Sequence, residues 1–140
     1  MTFPNMRPLF VGLMISLAAG CGGGGGQSSV RGKVHFPDGT PLTAGRIVAE
    51  SPAHNVSATG YIGKDGTFEL GTKTNNDGVP AGTWNVVILA AEIQPETYPD
   101  KPNTKKATPM IHARYLKKET SSLSFKVPDQ TNWDITVNKP

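Results

Sequence analysis

The sequence predicts an all-β fold for most of the chain, and three observations carry that reading. Segments of alternating apolar and polar residues recur between residues 30 and 137. Turn-forming residues separate them: the 140 residues include 16 Gly and 12 Pro, and Asp-Gly pairs stand at Asp38-Gly39, Asp65-Gly66 and Asp77-Gly78. The longest β-favouring run after the N-terminus, 79–91, is apolar at both parities. Trp84, Val86, Ile88 and Ala90 share one face, and Val87, Leu89 and Ala91 the other. A period-2 strand of that kind is expected at the centre of a sheet, buried on two sides.

The N-terminus reads as an address. Arg7 is the only charge before residue 20, and 9–19 is an apolar run of 11 residues. That is too short to span a bilayer as a helix, which takes about 20 residues, and it suits the hydrophobic region of a signal peptide. The run closes in Leu17-Ala18-Ala19-Gly20-Cys21, which resembles the lipobox of bacterial lipoproteins, with Ala18 where Leu is usual. The resemblance implies cleavage before Cys21 and acylation of its thiol. Two or three acyl chains, at about 0.8 kcal/mol per buried CH₂, make a stable anchor where one is marginal. The Gly22–Gly26 run lacks the Lys-Ser/Thr ending of a phosphate loop and, with Gln27-Ser28-Ser29, is expected as a flexible tether; nine residues of this kind span about 15–18 Å. The expected organisation is a signal peptide over 1–20, a tether over 21–28 and one domain over 29–140. Gly22 replaces the Asp that retains some lipoproteins at the inner membrane, so the reading leans to the outer membrane.

The domain's elements follow in order. In 30–36, Val30, Val34 and Phe36 face one side and Arg31, Lys33 and His35 the other, the pattern of a half-buried strand. Asp38-Gly39 makes a turn. Arg46–Glu50 is a strand with Ile47 and Ala49 inward, and Ser57–Ile62 is another. Lys64-Asp65-Gly66 signals a hairpin into Thr67–Leu70, with Phe68 and Leu70 inward. A polar loop leads to the central strand. After it, Pro95, Pro99, Pro102 and Pro109 preclude a helix or an inner strand over 92–110. Ile111–Tyr115 reads as a short strand or turn. Leu123, Phe125 and Val127, then Trp133, Ile135 and Val137, alternate with polar residues, and these two strands are expected as a terminal antiparallel pair.

Val30-x-Gly32-x-Val34, Asp38-Gly39-x-Pro41-Leu42, Gly45-x-Ile47-Val48, Gly63-x-Asp65-Gly66-x-Phe68-x-Leu70 and Pro80-Ala81-Gly82-x-Trp84-x-Val86 together resemble the carboxypeptidase regulatory-like family. Trp84 stands where that family usually has Tyr. The match covers 29–91 and, weakly, 111–137, where Arg114-Tyr115 and Thr120-Ser121-Ser122-Leu123 fit with Ser122 in place of Gly. The resemblance implies a seven-stranded antiparallel transthyretin-like (prealbumin-like) β-sandwich. It also implies a non-catalytic role, as on short bacterial lipoproteins that carry this domain alone. Fold by itself does not give function.

The composition excludes several function classes. The formal charge of +3 falls to +2 without Arg7, too little to suggest nucleic acid. A single Cys rules out an internal disulfide or a multi-cysteine metal site. No Ser lies in a Gly-x-Ser-x-Gly elbow. His35, His54 and His112 have no metal-ligand spacing, and the three Asp of the Asp-Gly pairs are explained by turns before calcium or acid–base chemistry. Lys33 and Asn138 are the one pair to weigh for an isopeptide crosslink between first and last strands. Trp84 and Trp133 are in phase with the core rather than placed as sugar platforms. The charge asymmetry lies at Lys101, Lys105, Lys106, Arg114, Lys117 and Lys118, six basic residues in 18 positions. They are the candidate contacts to a ligand or an anionic membrane surface. The expectation is an exported, lipid-anchored, non-catalytic envelope domain without cofactor. Its partners would be the membrane, through acylated Cys21, and a glycan or envelope protein. A docking subunit that uses a sheet edge and a metal-dependent enzyme are the alternatives.

Overall fold

The structure, a computed structural model, describes residues 26–101 and 105–140; the expected signal peptide and Cys21 lie outside the described residues. The described residues are mostly β-strand, as in an all-β sandwich, with small helical insertions. Strands β1 (Arg31–His35), β2 (Arg46–Ser51), β3 (Val56–Tyr61), β4 (Thr67–Glu69), β5 (Gly82–Leu89), β6 (Glu92–Ile93), β7 (Thr108–Pro109), β8 (Leu123–Val127) and β9 (Asn132–Thr136) are joined by a 3-10 turn over Ala113–Leu116 and one helical turn, α1 (Lys118–Ser121). They form a three-stranded sheet in the order β4-β1-β9, a four-stranded sheet in the order β3-β2-β5-β8, and the two-stranded ladder β6-β7.

One core lies between the two larger sheets. Val34, Phe68 and Ile135 enter it from the first, and Ile47, Ala49, Ala58, Trp84, Val86, Ile88 and Phe125 from the second. At about 25 cal/mol per Å² of buried apolar surface, these side chains supply the main driving force. Trp84 is fully buried, stacks on Phe125 with centroids 6.2 Å apart, and donates its Nε1–H to the Pro80 carbonyl at 3.1 Å. Phe125 also meets Trp133 of the opposite sheet at 5.1 Å.

The central position of 79–91 holds, since β5 pairs with β2 on one side and β8 on the other. Its two faces are unequal. Trp84, Val86 and Ile88 are buried inward, while only Val87 is buried on the other face. Ala90 takes φ +53° and is exposed. That left-handed residue breaks the alternation, so Ala91 rather than Ala90 rejoins the core.

One other expectation is corrected. The last two strands are not an antiparallel pair: β8 belongs to the four-stranded sheet, and β9 runs parallel to β1, with Gly32 beside Trp133 and Val34 beside Ile135. The 128–131 turn moves the chain between sheets, which is how Phe125 and Trp133 meet across the core with their rings tilted by 45°. The expected Asp65-Gly66 hairpin forms: Gly63 N–H donates to the Thr67 carbonyl, and Thr59 and Gly71 exchange bonds of 2.8 and 3.0 Å in the same antiparallel register, which links the edge strands β3 and β4 of the two sheets. Ile111–Tyr115 runs into the 3-10 turn, which places Ile111 and Tyr115 in the core. β8 accompanies β5 only as far as Val86, and there the Ser121 hydroxyl donates to the Val86 carbonyl.

The domain begins slightly earlier than residue 29. Ser28 exchanges backbone bonds of 2.8 and 2.9 Å with Val79, and Gln27 donates to the Thr72 hydroxyl. Gly78, at φ +87°, permits this approach, because a Cβ there would lie 2.6 Å from the Ser28 carbonyl oxygen. The tether is therefore tied down just before β5 begins. The 92–110 loop leaves where β5 ends, about 27 Å along an eight-residue strand.

Candidate functional site

The basic residues that the sequence groups have individual settings in the structure. Lys118 binds Glu50 of β2 at 2.5 Å. Arg114 lies over the Tyr115 ring at 5.5 Å and reaches the Thr120 carbonyl at 3.4 Å. Lys117 is exposed at the start of α1, and Lys101, Lys105 and Lys106 are exposed on the 92–110 loop. That loop is closed at its base by the β6-β7 ladder and by Met110 N–H donating to Ala91.

The histidines are similarly separate. His35 Nε2 lies 3.0 Å from Asp134 Oδ1, His54 Nε2 lies 2.8 Å from the Ala81 carbonyl, and His112 Nδ1 accepts from Arg114 N–H. Among the described residues no three His, Cys, Asp or Glu side chains converge. The isopeptide pairing does not form. The parallel register sets Lys33 beside Asp134, and Asn138 is four residues further on, at the Tyr115 hydroxyl.

The three Asp-Gly carboxylates are occupied by their own turns. Asp38 accepts from Thr40 N–H and Oγ1–H at 2.9 and 2.6 Å, and Asp65 accepts from the same pair of groups on Thr67 at 3.1 and 2.7 Å. Asp77 collects the amides of Thr72, Lys73 and Thr74 at 2.5, 3.0 and 3.1 Å. Hydrogen bonds to the charged form favour it. Those from Thr40 hold Asp38 at about 2, those led by Thr72 hold Asp77 at about 2, and those from Thr67 lower Asp65.

What the fold does assemble is a cleft of about 740 Å³ across β4, β1 and β9. It is bounded by Thr59–Tyr61 of β3 and by Asn75 and Asn76 of the 71–78 loop. Val34, Phe68 and Ile135 face the core, so the opposite parity of the same strands supplies polar groups to the cleft. Register sets these in rows: Glu69, Arg31 and Asn132 in one, Thr67, Lys33 and Asp134 in the next. Tyr61 borders the cleft and is 68% exposed, whereas Phe68, Trp84 and Phe125 are buried. Asn76 has φ +63°, and the Asp77 bonds hold the loop that presents it. Trp133 also borders the cleft, half-buried against the core.

A second hollow of about 370 Å³ lies between β2, β3, β5 and α1, beside the Lys118–Glu50 pair. Ser51 adjoins it, 1% exposed, and its hydroxyl has no hydrogen-bond partner.

The sequence reading missed the cleft because its residues come from four strands and a loop. The available signal was Tyr61, an aromatic residue at the outward parity of its strand with Ser57 and Thr59. No family model matches the chain, and no curated protein or solved structure matches it.

Proposed function

We propose that the protein is a lipid-anchored, non-catalytic binding module of the bacterial cell envelope. In this reading Cys21 carries the acyl chains, outer-membrane placement is favoured, and the domain is a seven-stranded transthyretin-like sandwich of the carboxypeptidase regulatory-like type. The observation that carries the binding role is the cleft on the three-stranded sheet, whose other face is committed to the core. Ser122 supports the family reading: it stands at φ +54° after α1, a left-handed position that suits the Gly of the family pattern.

Geometry favours binding over hydrolysis. The cleft's two carboxylates, Glu69 and Asp134, are two strands apart and offset by two residues in register. Their Cα positions are then about 12 Å apart from strand spacing and rise, and each carboxylate has its own partner, the Ser29 hydroxyl on Glu69 and His35 on Asp134. Edge docking is weakened at β8. Lys126 N–H donates to Gln130 Oε1, and its carbonyl accepts from Gln130 N–H, so the strand's own turn consumes edge groups that a partner strand needs.

Metabolic labelling with radioactive palmitate tests the anchor. Wild type is expected to label and to sediment with membranes, and Cys21→Ser to do neither. Equal labelling of both, or of neither, overturns it.

A further inference from the structure

We infer that the cleft binds an uncharged carbohydrate chain, with Tyr61 as the stacking platform and Asn75, Asn76 and Asn132 on the sugar hydroxyls. The inference rests on the reading of the protein as a binding module and names the class of its ligand.

Four observations converge on it. First, about 740 Å³ is ligand-sized, within the range of about 300–1,000 Å³ typical of small-molecule sites. Second, the cleft offers polar and apolar surface in nearly equal shares and is bordered by one exposed aromatic residue, Tyr61. A tyrosine offers an apolar face and a polar tip, which match the C–H face and hydroxyl rim of a pyranose ring. Third, three carboxamides line it. Each offers two donors and an acceptor, and a sugar hydroxyl needs both roles at once. Fourth, the charges balance. The charged residues that line the cleft are Arg31 and Lys33 against Glu69 and Asp134, so no formal net charge favours a polyanion.

The carboxamides are also held in place. Asp77 binds three consecutive amides, Thr72 to Thr74, and so fixes the loop whose next two residues are Asn75 and Asn76. Asn132 begins β9, beside Arg31. A site fixed in this way loses less entropy on binding than a mobile one.

Titration calorimetry on the full chain in detergent micelles tests the inference, with three hexasaccharide probes: chitohexaose, cellohexaose and hexagalacturonate. A neutral hexamer is expected to bind. Tyr61→Ala is expected to weaken it about tenfold or more, the loss of one stacked ring. Tyr61→Phe should stay within about threefold of wild type, because the ring remains. Affinity should change less than about twofold between roughly 0.05 and 0.5 M NaCl, since no net charge is engaged. Tyr61 is exposed, so both variants should keep the wild-type thermal unfolding curve, and that curve is recorded alongside.

Binding of hexagalacturonate alone, with steep salt dependence, overturns the uncharged assignment. Neutral binding that ignores Tyr61→Ala overturns the site. Heat from none of the hexamers overturns the carbohydrate class. Each of these leaves the anchored module standing if Cys21 still takes palmitate, and a failure of palmitate labelling leaves the calorimetry unaffected.

Discussion

Gly32→Ala probes the least expected feature of the fold, the parallel pairing of the first and last strands. An alanine Cβ at Gly32 would lie 1.9 Å from the Trp133 carbonyl oxygen and 2.9 Å from Phe68 Cζ. The nearest comfortable carbon–oxygen approach is about 3.3 Å, so β1 and β9 would have to part by about 1.4 Å. The obstructing atom is backbone within the pairing register and cannot rotate away. Overpacking costs about 1–3 kcal/mol, and the strained ladder bonds beside it add about 1 kcal/mol. A loss of about 3 kcal/mol is therefore expected. At a urea m-value of about 2 kcal/mol/M, the unfolding midpoint should fall by about 1.5 M. Gly39→Ala is the control: its φ is +85° and nothing lies within 4 Å of the added Cβ. It incurs only the left-handed backbone cost, about 1–2 kcal/mol, and should lower the midpoint by under about 1 M. Equal shifts for the two variants, or a smaller one for Gly32→Ala, would refute the β1–β9 pairing.

Three further outcomes follow from the backbone and the turns. Ser122→Gly should raise stability by about 0.5–1 kcal/mol in urea titration, because glycine removes the left-handed penalty after α1; a loss would mean that the Ser122 side chain matters more than its backbone. Asp38 and Asp77 titrate at about 2 when folded against an ordinary 3.8. Depressed folded values stabilise fully above the ordinary value and cease to do so as pH falls through the folded one. Thermal stability should therefore decline as pH drops from 4 toward 2 by this route, and Asp77→Asn should make that decline shallower. The same variant should speed amide exchange at Thr72, Lys73 and Thr74 at pH 5; unchanged exchange would remove the pinned loop from the account.

The inward faces were legible in the sequence because each strand carries its own period-2 record. Val34, Ile47, Phe68, Trp84, Phe125 and Ile135 all lie where alternation puts them. Sheet membership was less legible. A turn at Asp65-Gly66 or 128–131 reads the same whether the chain returns to its own sheet or crosses to the other. The 3-10 turn at Ala113–Leu116 is too short to show a helical period, and the left-handed Ala90 carries no signal, since alanine is not a residue that marks such a backbone. The cleft was hidden for another reason. Arg31, Tyr61, Asn75 and Asn132 are joined by register and crossover, not by spacing along the chain.

Amide shift mapping asks most directly whether the cleft is the binding face. The isotope-labelled full chain, in detergent, is titrated with whichever neutral hexamer gives heat. Shifts are expected to concentrate at Tyr61, Asn75, Asn76 and Asn132, with Lys101, Lys105, Lys106 and β8 unmoved. Shifts confined to the 92–110 loop or to the β8 edge would contradict it.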